Sequence, residues 1–143
     1  MSEFFIIDTN VVVAGLLTAQ NDSPVARILD GMLSATFPFV VSEALLAEYH
    51  ALLVRPKVGK RHGLSAAEIE IILTDIARHA IVLGPVRSAA TATAPDPGDQ
   101  FLWDLLAFRA DLILVTGDKL LVQDEAMRKR VILPSTFVAR LQN

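Results

Sequence analysis

Asp8, Glu48, Asp99 and Asp118 each stand where an apolar run of this chain has just ended or a helical segment begins. Asp8 closes Phe4-Phe5-Ile6-Ile7, and Asp118 follows Leu112-Ile113-Leu114-Val115 through Thr116-Gly117. Glu48 comes early in the segment after Phe39-Val40-Val41, and Asp99 opens Asp99-Gln100-Phe101-Leu102-Trp103-Asp104. Carboxylates gathered with few cations beside them repel one another. Such a group usually exists to hold a hard divalent metal through oxygen. The chain has no cysteine, which excludes thiolate catalysis, a thiolate zinc site and a disulfide framework. His50, His62 and His79 have no metal-ligand spacing among themselves and no Ser or Cys partner in sequence, so none is assigned chemistry.

The elements that must position these acids are short. Five apolar runs, Phe4–Ile7, Phe37–Val41, Ala80–Leu83, Leu112–Thr116 and Val131–Leu133, are uniformly apolar rather than alternating. That pattern suits strands of a parallel sheet covered on both faces. Helical segments lie between them. Ser23-Pro24 is a start signal, with Ser as N-cap and Pro at the first helical position. Ser42 caps a helix from Glu43 to Val54, Ser65-Ala66-Ala67-Glu68 is a capping box for a helix to about His79, and Gly98 or Asp99 opens one to about Arg109. Ser135 is placed as the cap of a last helix ending near Leu141. The alternation predicts an α/β fold, a three-layer α/β/α sandwich with a central, mainly parallel, five-stranded sheet. At 143 residues it is expected as a single domain over 1–143. The Ala/Thr-rich stretch from Ser88 to Pro95, ending in Pro95-Asp96-Pro97-Gly98, reads as a loop.

Ligands of a parallel sheet bind at the carboxyl ends of its strands. Asp8 and Asp118 each follow a strand and fall at that edge. The helix over 98–109 runs away from the edge for roughly 18 Å, and the strand over 111–116 returns roughly 20 Å. The lengths nearly cancel, so Asp99 finishes beside Asp118. Glu48 lies on a helix leaving the same edge and borders its apolar face, with Leu45 three back and Leu52 four ahead. Each acid also has a plain structural account. Asp8 is a suitable N-cap for Val11 to Leu17, Asp118 for the segment after it, Asp99 suits a first helical turn, and Glu48 suits an amphipathic boundary.

The net charge of −3 does not mark the chain as a nucleic-acid binder, yet Arg55, Lys57, Lys60 and Arg61 fall within the eight residues 55–62. This run either holds nucleic-acid phosphates or is a solvated loop. Arg128-Lys129-Arg130 reads as a solvated helix end, and Trp103 as core rather than a base-stacking platform. A hydrophobic fraction of 52% supports a well-filled core. Met1-Ser2-Glu3-Phe4 does not open a signal peptide, and no apolar run is long enough for a membrane span, so a cytoplasmic protein is expected.

These residues together resemble the PIN-domain nucleases. Phe5-Ile6-Ile7-Asp8-Thr9-Asn10-Val11 is similar to their opening strand and Asp-x-Asn, and Ser42 to Glu48 to their second block. Asp96-Pro97-Gly98-Asp99 and Val115-Thr116-Gly117-Asp118 resemble the third and fourth. Leu53-Val54-Arg55-Pro56-Lys57 further resembles the branch of toxin components of toxin–antitoxin systems, the VapC-type toxins. The resemblance covers the chain from Phe4 to about Leu141. It implies a Mg2+- or Mn2+-dependent endoribonuclease. Asp8, Glu48, Asp99 and Asp118 take the place of the four family acids, Asn10, Ser42 and Thr116 support them, and Asp96 matches an extra Asp of this branch. The position after Asp99 is often a second acid there, and here it is Gln100. The resemblance further implies an RNA substrate, a homodimer and a small antitoxin partner.

In the mechanism this suggests, Asp8, Asp99 and Asp118 hold the metal and Glu48 positions or deprotonates the attacking water. The rival readings are a catalytically weak PIN-fold module that binds RNA or protein, and an RNA-processing nuclease with no toxin role. A haloacid-dehalogenase-type phosphatase needs a second Asp where Asn10 stands. No phosphate-binding glycine pattern appears, which removes nucleotide cofactors.

Overall fold

The computed structural model describes residues 3–84 and 92–142. Residues 88–91 of the Ala/Thr-rich stretch and the first two residues of the chain lie outside that range. Five strands form one sheet: β1 (Phe4–Ile7), β2 (Phe39–Val41), β3 (Ile81–Val82), β4 (Leu112–Val115) and β5 (Val131–Ile132). Their order is β3-β2-β1-β4-β5, and every neighbouring pair is parallel. β1, β2, β4 and β5 are almost wholly buried, as expected of uniformly apolar runs with helices on both faces, but β3 corrects that expectation: it is an edge strand, and Ile81 and Val82 are exposed. Phe37, expected in the second strand, precedes β2 instead. Its ring packs edge-on against Phe5 and Phe137 at the foot of the sheet.

The crossovers from β1 move outward through β2 to β3, then return past β1 to β4 and β5. The direction of winding reverses between β1 and β4, which opens a crevice above the carboxyl ends of those two strands. Asp8 and Asp118 follow the two strands that flank it.

The helices are α1 (Thr9–Leu17), α2 (Pro24–Ser34), α3 (Glu43–Leu53), α4 (Pro56–His62), α5 (Ala66–His79), α6 (Gln100–Phe108), α7 (Lys119–Val122) and α8 (Pro134–Leu141). Ser23 and Ser42 cap α2 and α3 through their hydroxyls, and Ser65 with Glu68 completes the capping box of α5. Two expectations are corrected. The run 55–62 is a helix rather than a loop: Pro56 stands at its first position, and Gly63 ends it with a positive φ of 66°. Ser135 is not a cap. Leu133 takes the N-cap position without a side-chain bond and Pro134 starts α8, since Pro fits the first turn, where an N–H has no helical partner.

Trp103 is fully buried among the helix and sheet residues of the core, as expected. Arg128, Lys129 and Arg130 close a 3-10 segment, Glu125–Arg130, but Arg130 is not solvated like its neighbours. It is half-buried and donates to the carbonyls of Arg109 (2.6 Å) and Leu112 (3.0 Å), binding that segment to the foot of β4. No helix among the described residues is long and apolar enough to cross a membrane.

Candidate active site

Asp8 is buried, with a relative exposure of 7%. Its backbone N–H donates to the Val115 carbonyl (2.9 Å), so the ladder between β1 and β4 runs up to the carboxylate itself. One carboxylate oxygen accepts from the Thr9 N–H (2.8 Å) and caps α1. The other accepts from the Thr116 hydroxyl (2.7 Å) and, at 3.4 Å, from the Asn10 amide. Asp8 thus fills the plain structural role with one oxygen, while the other is held by the polar side chains of Thr116 and Asn10.

Asn10 and Thr116 close a bridge between the two central strands. The Asn10 amide nitrogen reaches Thr116 Oγ1 (3.3 Å) and its oxygen accepts from the Gly117 N–H (3.1 Å). Thr116 Oγ1 accepts in turn from the Asp118 N–H (3.1 Å). One carboxylate oxygen of Asp118 caps α7 at the Leu120 N–H (2.9 Å). Ser42 works at a distance: it starts α3, accepting from the Leu45 N–H (3.1 Å), and so sets the phase on which Glu48 leaves the sheet.

Glu48 is half-buried and close enough for its charge to act on both Asp8 and Asp99. Its placement is reinforced by the next residue, Tyr49, which belongs to none of the motifs above. The Tyr49 side chain is fully buried, and its hydroxyl donates to the Ile7 carbonyl beside Asp8. Burial, then the charge of Asp8, hold that phenol well above its ordinary range, so it stays a donor. The only sequence signal for this role is a tyrosine adjoining Glu48 on an otherwise aliphatic face.

Asp99 is the acid left without a capping bond of its own. Its carboxyl is pushed up to about 6 by burial first, then by the charges of Asp8, Asp96, Asp118 and Glu48. Asp8 is also raised, by burial above all, against the lowering effect of Thr116 and Thr9, with Asp118 and Glu48 adding to the rise. Asp96 is exposed and turns back to accept from the Gly98 N–H (2.9 Å). The chain thus brings Asp8, Glu48, Asp99 and Asp118 within electrostatic reach, with Asp96 at the margin. Among the described residues none of the five forms an ion pair.

The donor set fits a hard divalent cation: oxygen only, anionic and uncompensated. As the side chains lie, however, no three of them among the described residues are drawn into a ligating group. Asp8, Asp96 and Asp118 each spend one oxygen on a cap, the second oxygen of Asp8 accepts from Thr116 and Asn10, and Asp99 makes no capping bond.

The basic residues Arg55, Lys57, Lys60 and Arg61 are all exposed. On α4, Lys57, Lys60 and Arg61 fall at i, i+3 and i+4 and share one face. Arg61 lines a cavity of about 520 Å³ that has Asn10 on its opposite rim. A second, of about 410 Å³, is shared by Asn10, Gly117 and Asp118. The basic helix and the acidic edge therefore border one surface.

The all-parallel sheet with a carboxylate cluster at its winding reversal defines an α/β protein whose crevice lies at the carboxyl ends of its central strands. The PIN domain family matches residues 5–120, and the chain belongs to that family. PIN domains are generally nucleases, hydrolysing phosphodiester bonds, and typically work with divalent metal ions. No curated protein matches the chain.

Proposed function

We propose that the chain is a metal-dependent endoribonuclease and the toxin of a type II toxin–antitoxin pair. The observation that carries the catalytic part is Asp99. A half-buried carboxyl raised to about 6 by burial and by four neighbouring acids, none of them in an ion pair among the described residues, favours a bound positive charge. Asp8, Asp99 and Asp118 would hold Mg2+ or Mn2+, with Glu48 and Asp96 beside them. When bound, the ion supplies Lewis acidity and neutralises charge on a phosphodiester.

The protein's own residues do the rest. Thr116 and Asn10 hold the second oxygen of Asp8 in place by hydrogen bonds. Glu48, anchored through α3 and Tyr49, accepts a proton from the attacking water. Arg55, Lys57, Lys60 and Arg61 bind phosphates of the strand on either side of the cut. The toxin part of the reading rests on the resemblance around Arg55-Pro56-Lys57, and brings with it a small antitoxin protein and a homodimer.

A mixed single-stranded RNA panel, incubated with Mg2+, Mn2+ or EDTA, tests the enzyme. Cleavage is expected with either metal, lost in EDTA and lost in a folded Asp8→Asn variant. Cleavage retained by Asp8→Asn overturns the site. A folded native chain that cleaves nothing under any metal favours the interaction-module reading. Growth arrest on expression, relieved by Asp8→Asn, separates a toxin from an RNA-processing enzyme.

A further inference from the structure

Gln100 stands where a second acid often follows the third one in the branch this chain resembles, and its side chain makes bonds that an ionised carboxylate cannot make. Its Oε1 accepts from the Ala94 N–H (2.9 Å), and its Nε2 donates to the Ala92 carbonyl and to Asp104 Oδ1, both at 3.3 Å. An amide carries donor and acceptor on one head, whereas a carboxylate only accepts.

The segment so gripped leads straight to the site. Ala94 is buried at 5% exposure and is followed by Pro95 and Asp96. The Asp96 carbonyl accepts from the Asp99 N–H (2.9 Å), closing a turn over Pro97–Asp99, and α6 starts at Gln100. Asp99 has no capping bond, so its place is set by the backbone on either side. On one side that backbone is the helix. On the other it is the stretch that Gln100 holds.

We propose that Gln100 is a positioning residue, tying residues 92–94 to the first turn of α6 and thereby fixing Asp96 and Asp99 at the acidic edge in place of a further carboxylate. The catalytic consequence rests on the nuclease reading; the tether itself rests on the three hydrogen bonds. Gln100→Met keeps the length and removes all three. Gln100→Glu keeps the acceptor for Ala94 but loses both donations and sets a like charge against Asp104.

The test compares the native chain with both variants by amide hydrogen exchange and by RNA cleavage in Mn2+. In Gln100→Met, exchange at the Ala94 amide is expected to speed up about tenfold while the amides of α5 are unchanged. kcat is expected to fall roughly tenfold or more with KM held within about twofold, because the acids are displaced and the RNA-binding helix is not. Gln100→Glu is expected to keep Ala94 protected and to lose less kcat than Gln100→Met. Unchanged Ala94 exchange in Gln100→Met overturns the proposal, and so does a loss of protection spread evenly over the chain. If the native chain cleaves no RNA, the nuclease reading fails separately. Ala94 exchange then decides the tether alone: faster exchange confined to that segment in Gln100→Met sustains it, and unchanged exchange overturns it.

Discussion

The short bond from the Thr116 hydroxyl to Asp8 carries more than its length suggests. It lowers the carboxyl that burial raises and fixes one oxygen of that carboxylate, while the same hydroxyl oxygen accepts from the Asp118 N–H. Thr116→Val keeps the shape and removes these functions. RNA cleavage is expected to fall roughly ten- to a hundredfold with the fold intact, measured as kcat beside a far-UV spectrum. Asp99 makes a pH prediction. Its carboxyl is raised from 3.8 to about 6 in the folded chain, so between those values the folded state binds more protons than the unfolded one. The stability this gives is present below 3.8 and is lost as pH rises through about 6. The thermal midpoint of metal-free protein is expected to drop across that window. Asp99→Asn should flatten the drop, and a slope unchanged in that variant would count against the raised carboxyl. Added Mn2+ should raise the midpoint more at pH above this window than below it, because protons and metal compete for the same oxygens.

Among the helices, α1 and α2 approach closely at Gly15. A methyl added at Gly15 would stand 2.8 Å from the Val25 carbonyl oxygen and 3.0 Å from Leu29 Cβ. Gly15→Ala must push α2 away from the helix that Asp8 caps, and is expected to cost about 1–3 kcal/mol in a denaturant titration. Strands and caps were largely legible in the sequence, because Ser23, Ser42 and Ser65 sit one residue before apolar periodicity begins. The four acids were legible for the same reason: strand ends and helix starts can be read, and a parallel sheet gathers them. Helix α4 was not legible, since it is seven residues long, has no side-chain cap, carries Gly59 in its interior, and packs against α1 and α3. Nor was the division of labour inside each carboxylate. Whether Asp8 spends one oxygen on a cap depends on a backbone N–H position, and Tyr49 and Gln100 act through partners 42 and 6 to 8 residues away in sequence.

At the scale of the whole molecule, a net charge of −3 hides a segregated surface. Lys57, Lys60 and Arg61 share a face of α4, and the acids gather at the sheet edge nearby. Binding of single-stranded RNA is expected to weaken with salt, and the slope of log K against log salt should shrink by roughly 0.7 for each phosphate no longer neutralised. Neutralising Arg55 and Lys57 together should flatten that slope by about twice this amount, read by fluorescence anisotropy at several salt concentrations. An unchanged slope would return α4 to the role of a solvated surface.

The pairing of β1 with β4 joins Phe4 to Leu112 and Ile7 to Val115. Pairings of such long sequence separation form late and at high entropic cost. During synthesis, the stretch that carries Asp8 leaves the ribosome long before the strand that carries its hydroxyl partner. Until β4 emerges and docks, Asp8 has neither Thr116 nor Asp118 beside it, and the crevice does not exist. The winding reversal that makes the site also acts as a clock: the acidic edge is assembled only after β4 and the turn that carries Asp118 have been made.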